Sequence, residues 1–159
     1  MISEDTRRLV DRTVRVEDMG MPAPSDFPPP PDDGDGDGPY ILLVDDRLEL
    51  LAVHAAYLRK HGYRTLLAED ASTGLAFARA YHPALIVLDH SMPDRTGVEV
   101  ARELKADAST ADIPILLMTA HSYGAVGAAA MAAGCAAFLP KPVEPSRLLR
   151  EIEARTHRH

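Results

Sequence analysis

Short apolar runs alternate with longer helical patterns along most of the chain. Two runs, at 40–44 and 85–89, are almost wholly apolar and are bounded by turn residues. Such runs are typical of strands that are buried on both faces of a sheet. More mixed runs at 63–68, 113–118 and 136–139 predict three further strands.

Each predicted strand is followed by apolar residues at helical spacing. In the first such segment Leu51, Ala55 and Leu58 form one stripe, and Gly62 ends the pattern. The predicted helices span 47–61, a segment through Tyr81 capped by Asp70 or Ser72, 97–106, 122–133 and 145–155.

Five alternations of strand and helix predict an α/β fold with a parallel sheet covered on both faces. Pro140 and Pro142 beside the fifth strand indicate that it lies at an edge, because proline cannot donate to a sheet ladder. We therefore expect a flavodoxin-like, doubly wound (βα)5 domain with strand order 2-1-3-4-5, over residues 39–155.

The first 38 residues differ from this domain in composition. From Gly20 to Pro39 the chain is rich in Pro, Asp and Gly, and residues 1–38 carry a net charge of −6 out of −7 for the whole chain. Such a segment buries too little apolar surface to offset its ordering entropy. We expect a largely disordered acidic extension at 1–38 and a short tail at 156–159.

Charge and cysteine content exclude several classes of function. The acidic extension and the near-neutral domain offer no basic face, which argues against nucleic-acid binding. The segment between Asp112 and Lys141 has no charged residue, but its prolines and glycines argue against a membrane span. A single cysteine, Cys135, excludes an internal disulfide and suits a cytoplasmic protein.

The candidate chemistry lies where the predicted strands end. Asp45 and Asp46 follow the first strand and Asp89 ends the third, and these strands are neighbours in the predicted order. Two carboxylates about 4 Å apart repel by roughly 4 kcal/mol at an effective dielectric of 20, so a divalent cation such as Mg²⁺ would relieve the cluster. Thr119 and Lys141 bring a hydroxyl and an ammonium to the same rim, which together indicate a phosphoryl site.

Five ordered motifs over residues 39–155 resemble the receiver domain of two-component response regulators. They are Val44-Asp45-Asp46, Asp89, Met92-Pro93 with Gly97 after it, Thr119-Ala120, and Lys141-Pro142. Thr96 departs from the family pattern, in which an acid or Asn usually precedes the glycine. The resemblance implies a single-domain, chemotaxis-regulator-like signalling protein that accepts a phosphoryl group and is not otherwise an enzyme.

The resemblance also implies roles for individual residues. Asp89 would accept the phosphoryl group from a phosphohistidine on a histidine kinase or a histidine phosphotransfer protein. Mg²⁺ would be held by Asp46, by Asp89, by Asp45 mainly through water, and by the backbone carbonyl of Ser91. Lys141 and Thr119 would stabilise the phosphoryl group, and Thr119 and Phe138 would form the switch.

The output is expected to pass through protein contacts, because no further domain follows residue 155. The helix at 122–133 has no charged residue, which is unusual for a helix with one side in water. With the strand at 136–139 and the helix at 145–155, it forms the expected face for a downstream partner or a homodimer. The alternative is that alanine is there only as a good helix former.

Three rival functions fit the sequence less well. A receiver-like scaffold would bind partners without being phosphorylated, but the acids, Thr119 and Lys141 are all present. An aspartyl phosphatase would want a second Asp where Ser91 stands. A flavin carrier is disfavoured because Asp45 and Asp46 would repel the cofactor phosphate.

Overall fold

The structure is a computed structural model that describes residues 38–120 and 124–156, in which five strands and five helices alternate. The strands are β1 (Tyr40–Val44), β2 (Arg64–Ala68), β3 (Leu85–Asp89), β4 (Ile115–Thr119) and β5 (Ala137–Pro140). The helices are α1 (Leu48–Lys60), α2 (Ala71–Tyr81), α3 (Gly97–Ala106), α4 (Ala125–Ala132) and α5 (Pro145–Thr156).

The strands form one parallel sheet in the order β2-β1-β3-β4-β5. All residues of β3 and β4 are buried, whereas β5 is largely half-buried, as expected at an edge. The predicted fold class and strand order are confirmed.

A hydrophobic layer covers each face of the sheet. On one face, α1 and α5 pack against the sheet through Leu51, Ala55, Leu58, Leu148, Leu149 and Ile152. On the other face, α2, α3 and α4 contribute Leu75, Ala78, Val100, Ala101, Leu104 and Ala130. The rigid double layer fixes the positions of the strand ends.

Three of the five strands have boundaries that differ from the sequence prediction. The second begins at Arg64 rather than at residue 63, and the fourth ends at Thr119 rather than at residue 118. The fourth strand begins at Ile115 rather than at residue 113, because the Ile113 N–H bonds to the Thr110 carbonyl and so belongs to the preceding turn. The fifth strand runs from Ala137 to Pro140 rather than over 136–139, and its last residue lies beside Thr119.

Helix starts follow the capping rules. The Asp70 carboxylate accepts the Thr73 N–H at 2.7 Å, so Asp70 rather than Ser72 caps α2. Thr96 caps α3, with its Oγ1 accepting the Glu99 N–H at 3.2 Å, which accounts for threonine at this position.

Several sequence expectations fall outside the described residues. These are the acidic extension up to residue 37, the start of the helix predicted at 122–133, and the tail from residue 157. In the described part α4 begins at Ala125 and α5 extends to Thr156, one residue beyond the predicted end. The described helices include none with the length and hydrophobicity of a transmembrane span.

Candidate phosphoryl site

Three carboxylates meet at the carboxyl ends of β1 and β3. These strands are neighbours, with Val44 beside Leu88, so the acids that follow or end them are carried to one crevice. One oxygen each from Asp45, Asp46 and Asp89 lies within 4.8 Å of the other two. The juxtaposition expected from the strand ends is therefore present.

The three acids differ in their surroundings. Asp45 and Asp89 are buried, whereas Asp46 is exposed. Burial raises the pKa of Asp45 to about 6; the Arg47 N–H, donating to Asp45 Oδ1 at 2.9 Å, opposes this rise, and the Asp89 charge adds to it. The site thus holds closely spaced acids, and the raised pKa of Asp45 means that its ionised form is favoured by a nearby cation.

The donor set fits a hard divalent cation. Asp45 Oδ2 is buried and has no hydrogen-bond partner among the described residues. A buried carboxylate oxygen without a partner is costly, and three clustered carboxylates offer the oxygen ligands that Mg²⁺ prefers. This orphan oxygen is an observation independent of the motif that predicted a metal.

Lys141 reaches the cluster from the end of β5. Its ammonium donates to Asp89 Oδ1 in an ion pair between two largely buried side chains. Its backbone N–H donates to the Thr119 carbonyl at 2.9 Å, which joins the end of β5 to the end of β4. Thr119 is itself buried at the end of β4, beside the strand that carries Asp89.

The loop after β3 is closely held. The Gly97 N–H donates to the His90 carbonyl at 2.8 Å, and a Cβ on Gly97 would lie only 2.7 Å from the Asp89 carbonyl oxygen. Only glycine therefore fits where the loop returns to β3. Ser91 is exposed within this loop and pairs with Thr96 across an antiparallel bridge.

A second tie fixes this loop to α2. The Asp94 carboxylate accepts the N–H groups of Ala71 and Ser72, both at 3.3 Å. An acid at the beginning of a helix is favoured by unsatisfied N–H groups and by the helix dipole. The sequence analysis did not find this contact, because a loop acid gives no sign of which helix it caps.

Phe138 lies on β5 under helix α4. It is half-buried, and a Cβ on Gly127 would come within 2.9 Å of its ring. The absence of a side chain at Gly127 lets the helix approach the aromatic ring closely.

A cavity of about 370 Å³ opens beside the cluster. Its lining residues are Asp45, Arg47, Leu50, His54, Ser91, Met118, Ala120, Lys141, Pro142 and Val143. The sequence analysis did not assign Arg47, Leu50, His54, Met118 or Val143 to the site, and His54 is the one of these with a buried polar side chain. Its signal was its position, since it falls on the buried stripe of α1 between Leu51 and Leu58.

Comparison with known proteins identifies the family. Residues 41–153 match the family model of the response regulator receiver domain. The chain is 34% identical over 114 residues to the protein PilH of Pseudomonas aeruginosa, covering 72% of this chain and 94% of PilH. It spans only about half the length of other curated relatives, which include DNA-binding regulators.

Solved structures agree with this match. The chemotaxis response regulator CheY4 of Vibrio cholerae superimposes with a TM-score of 0.70 at 26% identity, covering 74% of this chain and 98% of CheY4. The receiver domain of the sensor histidine kinase PA1611 of Pseudomonas aeruginosa gives 0.70 at 28% identity, covering 76% and 99%. That receiver domain was solved with a magnesium ion coordinated in its active-site cleft. The strand order, the acidic cluster and these matches agree, and the chain belongs to the response regulator receiver domain family, whose members act in signal transduction as phosphoryl acceptors.

Proposed function

We propose that Asp89 is the residue that accepts the phosphoryl group, from a phosphohistidine on a histidine kinase or a histidine phosphotransfer protein. The observation that carries this assignment is the buried ion pair between Asp89 and Lys141. Asp89 also offers an oxygen within 4.8 Å of an oxygen of each of two further carboxylates. Asp45 is less suited, because one of its oxygens accepts the Arg47 N–H and its raised pKa disfavours the carboxylate. Asp46 is also less suited, because its side chain is exposed to water, unlike that of Asp89.

The chemistry is a transfer between two nucleophiles. A carboxylate oxygen of Asp89 forms a bond to phosphorus as the bond between phosphorus and the donor imidazole nitrogen breaks. The imidazole nitrogen keeps the bonding electron pair and takes a proton from solvent, and Asp89 becomes an acyl phosphate. Subsequent attack by water on phosphorus would return the carboxylate and inorganic phosphate.

The residues proposed to hold Mg²⁺ are Asp46 and Asp89 directly, Asp45 mainly through water, and Ser91 through its backbone carbonyl. When bound, the ion supplies positive charge that offsets the negative phosphoryl oxygens. The orphan Asp45 Oδ2 and the clustered carboxylates support this assignment.

Lys141 and Thr119 are proposed to stabilise the transferred group. The Lys141 ammonium, now paired with Asp89, is placed to neutralise a phosphoryl oxygen on that residue. Thr119 would donate its hydroxyl proton and, with Phe138, form the switch. Because Phe138 packs on Gly127 of α4, a change at the ring would be passed to that helix.

The output face is proposed to be α4, β5 and α5. Helix α4 has no charged residue, and Met131 on it is among the few exposed large apolar side chains of the described residues. A downstream protein or a second copy of the chain would cover this face, in the cytoplasm that the cysteine content suits. The substitutions Ala129→Glu and Met131→Glu should abolish phosphorylation-dependent partner binding and dimerisation, and retention of both would contradict the assignment.

The central test is incubation with acetyl phosphate and Mg²⁺ followed by intact mass measurement. We expect the protein to gain one phosphoryl group and Asp89→Ala to gain none. Asp112→Ala is the matched control, because this acid lies at the opposite end of the sheet and should leave the gain unchanged. No gain with any small or protein donor would favour a receiver-like scaffold that binds partners unphosphorylated.

A further inference from the structure

His54 is a buried histidine to which the proposed phosphotransfer assigns no role. It lies on α1, only 6% exposed, and its Nε2 is 3.2 Å from the backbone carbonyl oxygen of Val143. A carbonyl can only accept, so the ring must carry its proton on Nε2 and donate. Burial lowers the pKa of His54; the hydrogen bond to Val143 opposes this change, and the nearby Lys141 charge adds to it.

This hydrogen bond leads directly to the segment that carries Lys141. Val143 lies two residues after Lys141, in the connection between β5 and α5. The connection is held at one end by the Lys141 N–H to the Thr119 carbonyl, and at the other by the Arg147 N–H to the Glu144 carbonyl at 3.0 Å. Pro142 has no N–H to contribute, so His54 holds the middle of the segment from a different helix.

Apolar packing alone does not explain why a histidine occupies this position. The other buried members of the α1 stripe are leucines and alanines, and a buried polar group costs free energy unless it is hydrogen-bonded. His54 also lines the same cavity as Asp45 and Lys141, so its contact borders the reacting groups.

We infer that His54 is a positioning residue for phosphoryl transfer: its N–H fixes the Val143 carbonyl, and thereby holds the Lys141 ammonium on Asp89. This inference rests on the proposed function of Asp89 and Lys141. His54 does not touch the phosphoryl group; it acts through the backbone of the β5–α5 connection.

The test measures the rate of phosphorylation by acetyl phosphate in excess Mg²⁺, followed by intact mass over time. His54→Leu removes the donor but fills the space, and should lower the rate about tenfold, the loss expected for one positioning hydrogen bond. His54→Gln can place an amide N–H near the Val143 carbonyl and should restore the rate to within about twofold. His61→Leu, at the exposed end of the same helix, is the matched control and should leave the rate unchanged.

A double-mutant cycle separates positioning from general loss of structure. In a Lys141→Ala background, His54→Leu should lower the residual rate by less than about twofold, because the group through which it acts is gone. An equal loss in both backgrounds, or failure of Gln to restore the rate, would overturn the inference. If denaturant titrations show that His54→Leu is not folded, His54→Met replaces it as the apolar variant.

The proposed function of Asp89 and the positioning role of His54 are refuted by different results. If the native protein gains no phosphoryl group, the proposed function of Asp89 fails and the role of His54 fails with it. If the native protein is phosphorylated at Asp89 and His54→Leu reacts at the native rate, only the role of His54 is refuted.

Discussion

At each end of the sheet a basic side chain is paired with an acidic one, and the two pairs differ in burial and in their screening by water. At the carboxyl end, the side chains of Lys141 and Asp89 are 16% and 2% exposed. At the amino end, His82 pairs with Asp112 at 3.1 Å, with side chains that are 53% and 71% exposed. Water screens the second pair, whereas the first is largely buried, where an unpaired charge is costly and the attraction between opposite charges is strong.

The surroundings of the two pairs differ as well. The amino end has a cavity of about 330 Å³ whose walls include Pro39, Tyr40, Tyr81, Pro83 and Pro114. At the carboxyl end, the buried carboxylates of Asp45 and Asp89 lie close together, and one Asp45 oxygen has no hydrogen-bond partner in the part of the chain that the structure describes. Similar residue types therefore form a solvent-exposed surface contact at one end and a candidate reaction centre at the other, because burial decides how strongly they interact.

The largest expected effect comes from breaking the buried pair. Lys141→Met should lower the free energy of unfolding by about 3–5 kcal/mol in EDTA, because it leaves the Asp89 charge buried without its partner. Added Mg²⁺ should recover part of the loss by supplying positive charge to the same cluster. Urea titrations with and without Mg²⁺ measure both effects, and a loss no larger than that at the amino-end pair would contradict the comparison.

The second prediction concerns the pH dependence that Asp45 imposes. Its pKa is about 6 in the folded protein against an ordinary value of 3.8, so the folded state binds this proton more tightly than the unfolded state. The free energy that this group adds to the folded state is therefore present at low pH. About 3 kcal/mol of it is lost as the pH rises from 3.8 through about 6.

Asp45→Asn removes that dependence. In EDTA, the variant should gain up to about 3 kcal/mol over the native protein near pH 7 and little near pH 4, where Asp45 is largely protonated in the folded state. Urea titrations of both proteins at the two pH values provide the measurement. An equal difference at both would show that Asp45 titrates normally.

A smaller effect is expected at a helix start near the carboxyl end. Asp70→Ala removes the acceptor of the Thr73 N–H and should cost about 1 kcal/mol of stability. Asp70→Ser, which keeps a capping oxygen, is the matched control and should cost much less. Thermal unfolding of the three proteins at one pH tests this, and equal melting temperatures would show that the cap contributes nothing.

The smallest effect is expected at the amino-end pair. Asp112→Asn should change the free energy of unfolding by no more than about 0.5 kcal/mol, because both partners are well exposed and screened. The change should shrink further in high salt. A loss that approached the Lys141→Met value would mean that exposure is a poor guide to the strength of these pairs.

Much of the fold could be predicted because its signals are local. The all-apolar runs of β1 and β3, the prolines beside β5 and the helical stripes each lie within a few residues of one another. Errors arose at boundaries such as the start of β4, where a single backbone bond from Ile113 to Thr110 competes with the strand.

By itself, the sequence determined the order of strands and helices, which acids end neighbouring strands, and the family to which the chain belongs. Only the tertiary structure decided that Asp45 is buried, with one oxygen unpartnered among the described residues, and that Asp94 accepts two N–H groups at the start of α2. It also decided that His54 reaches Val143 across 89 positions of the chain. The reason is physical. Periodicity and turn chemistry are written in adjacent residues, whereas burial, pKa and contacts between helices depend on how the packed layers bring distant segments together.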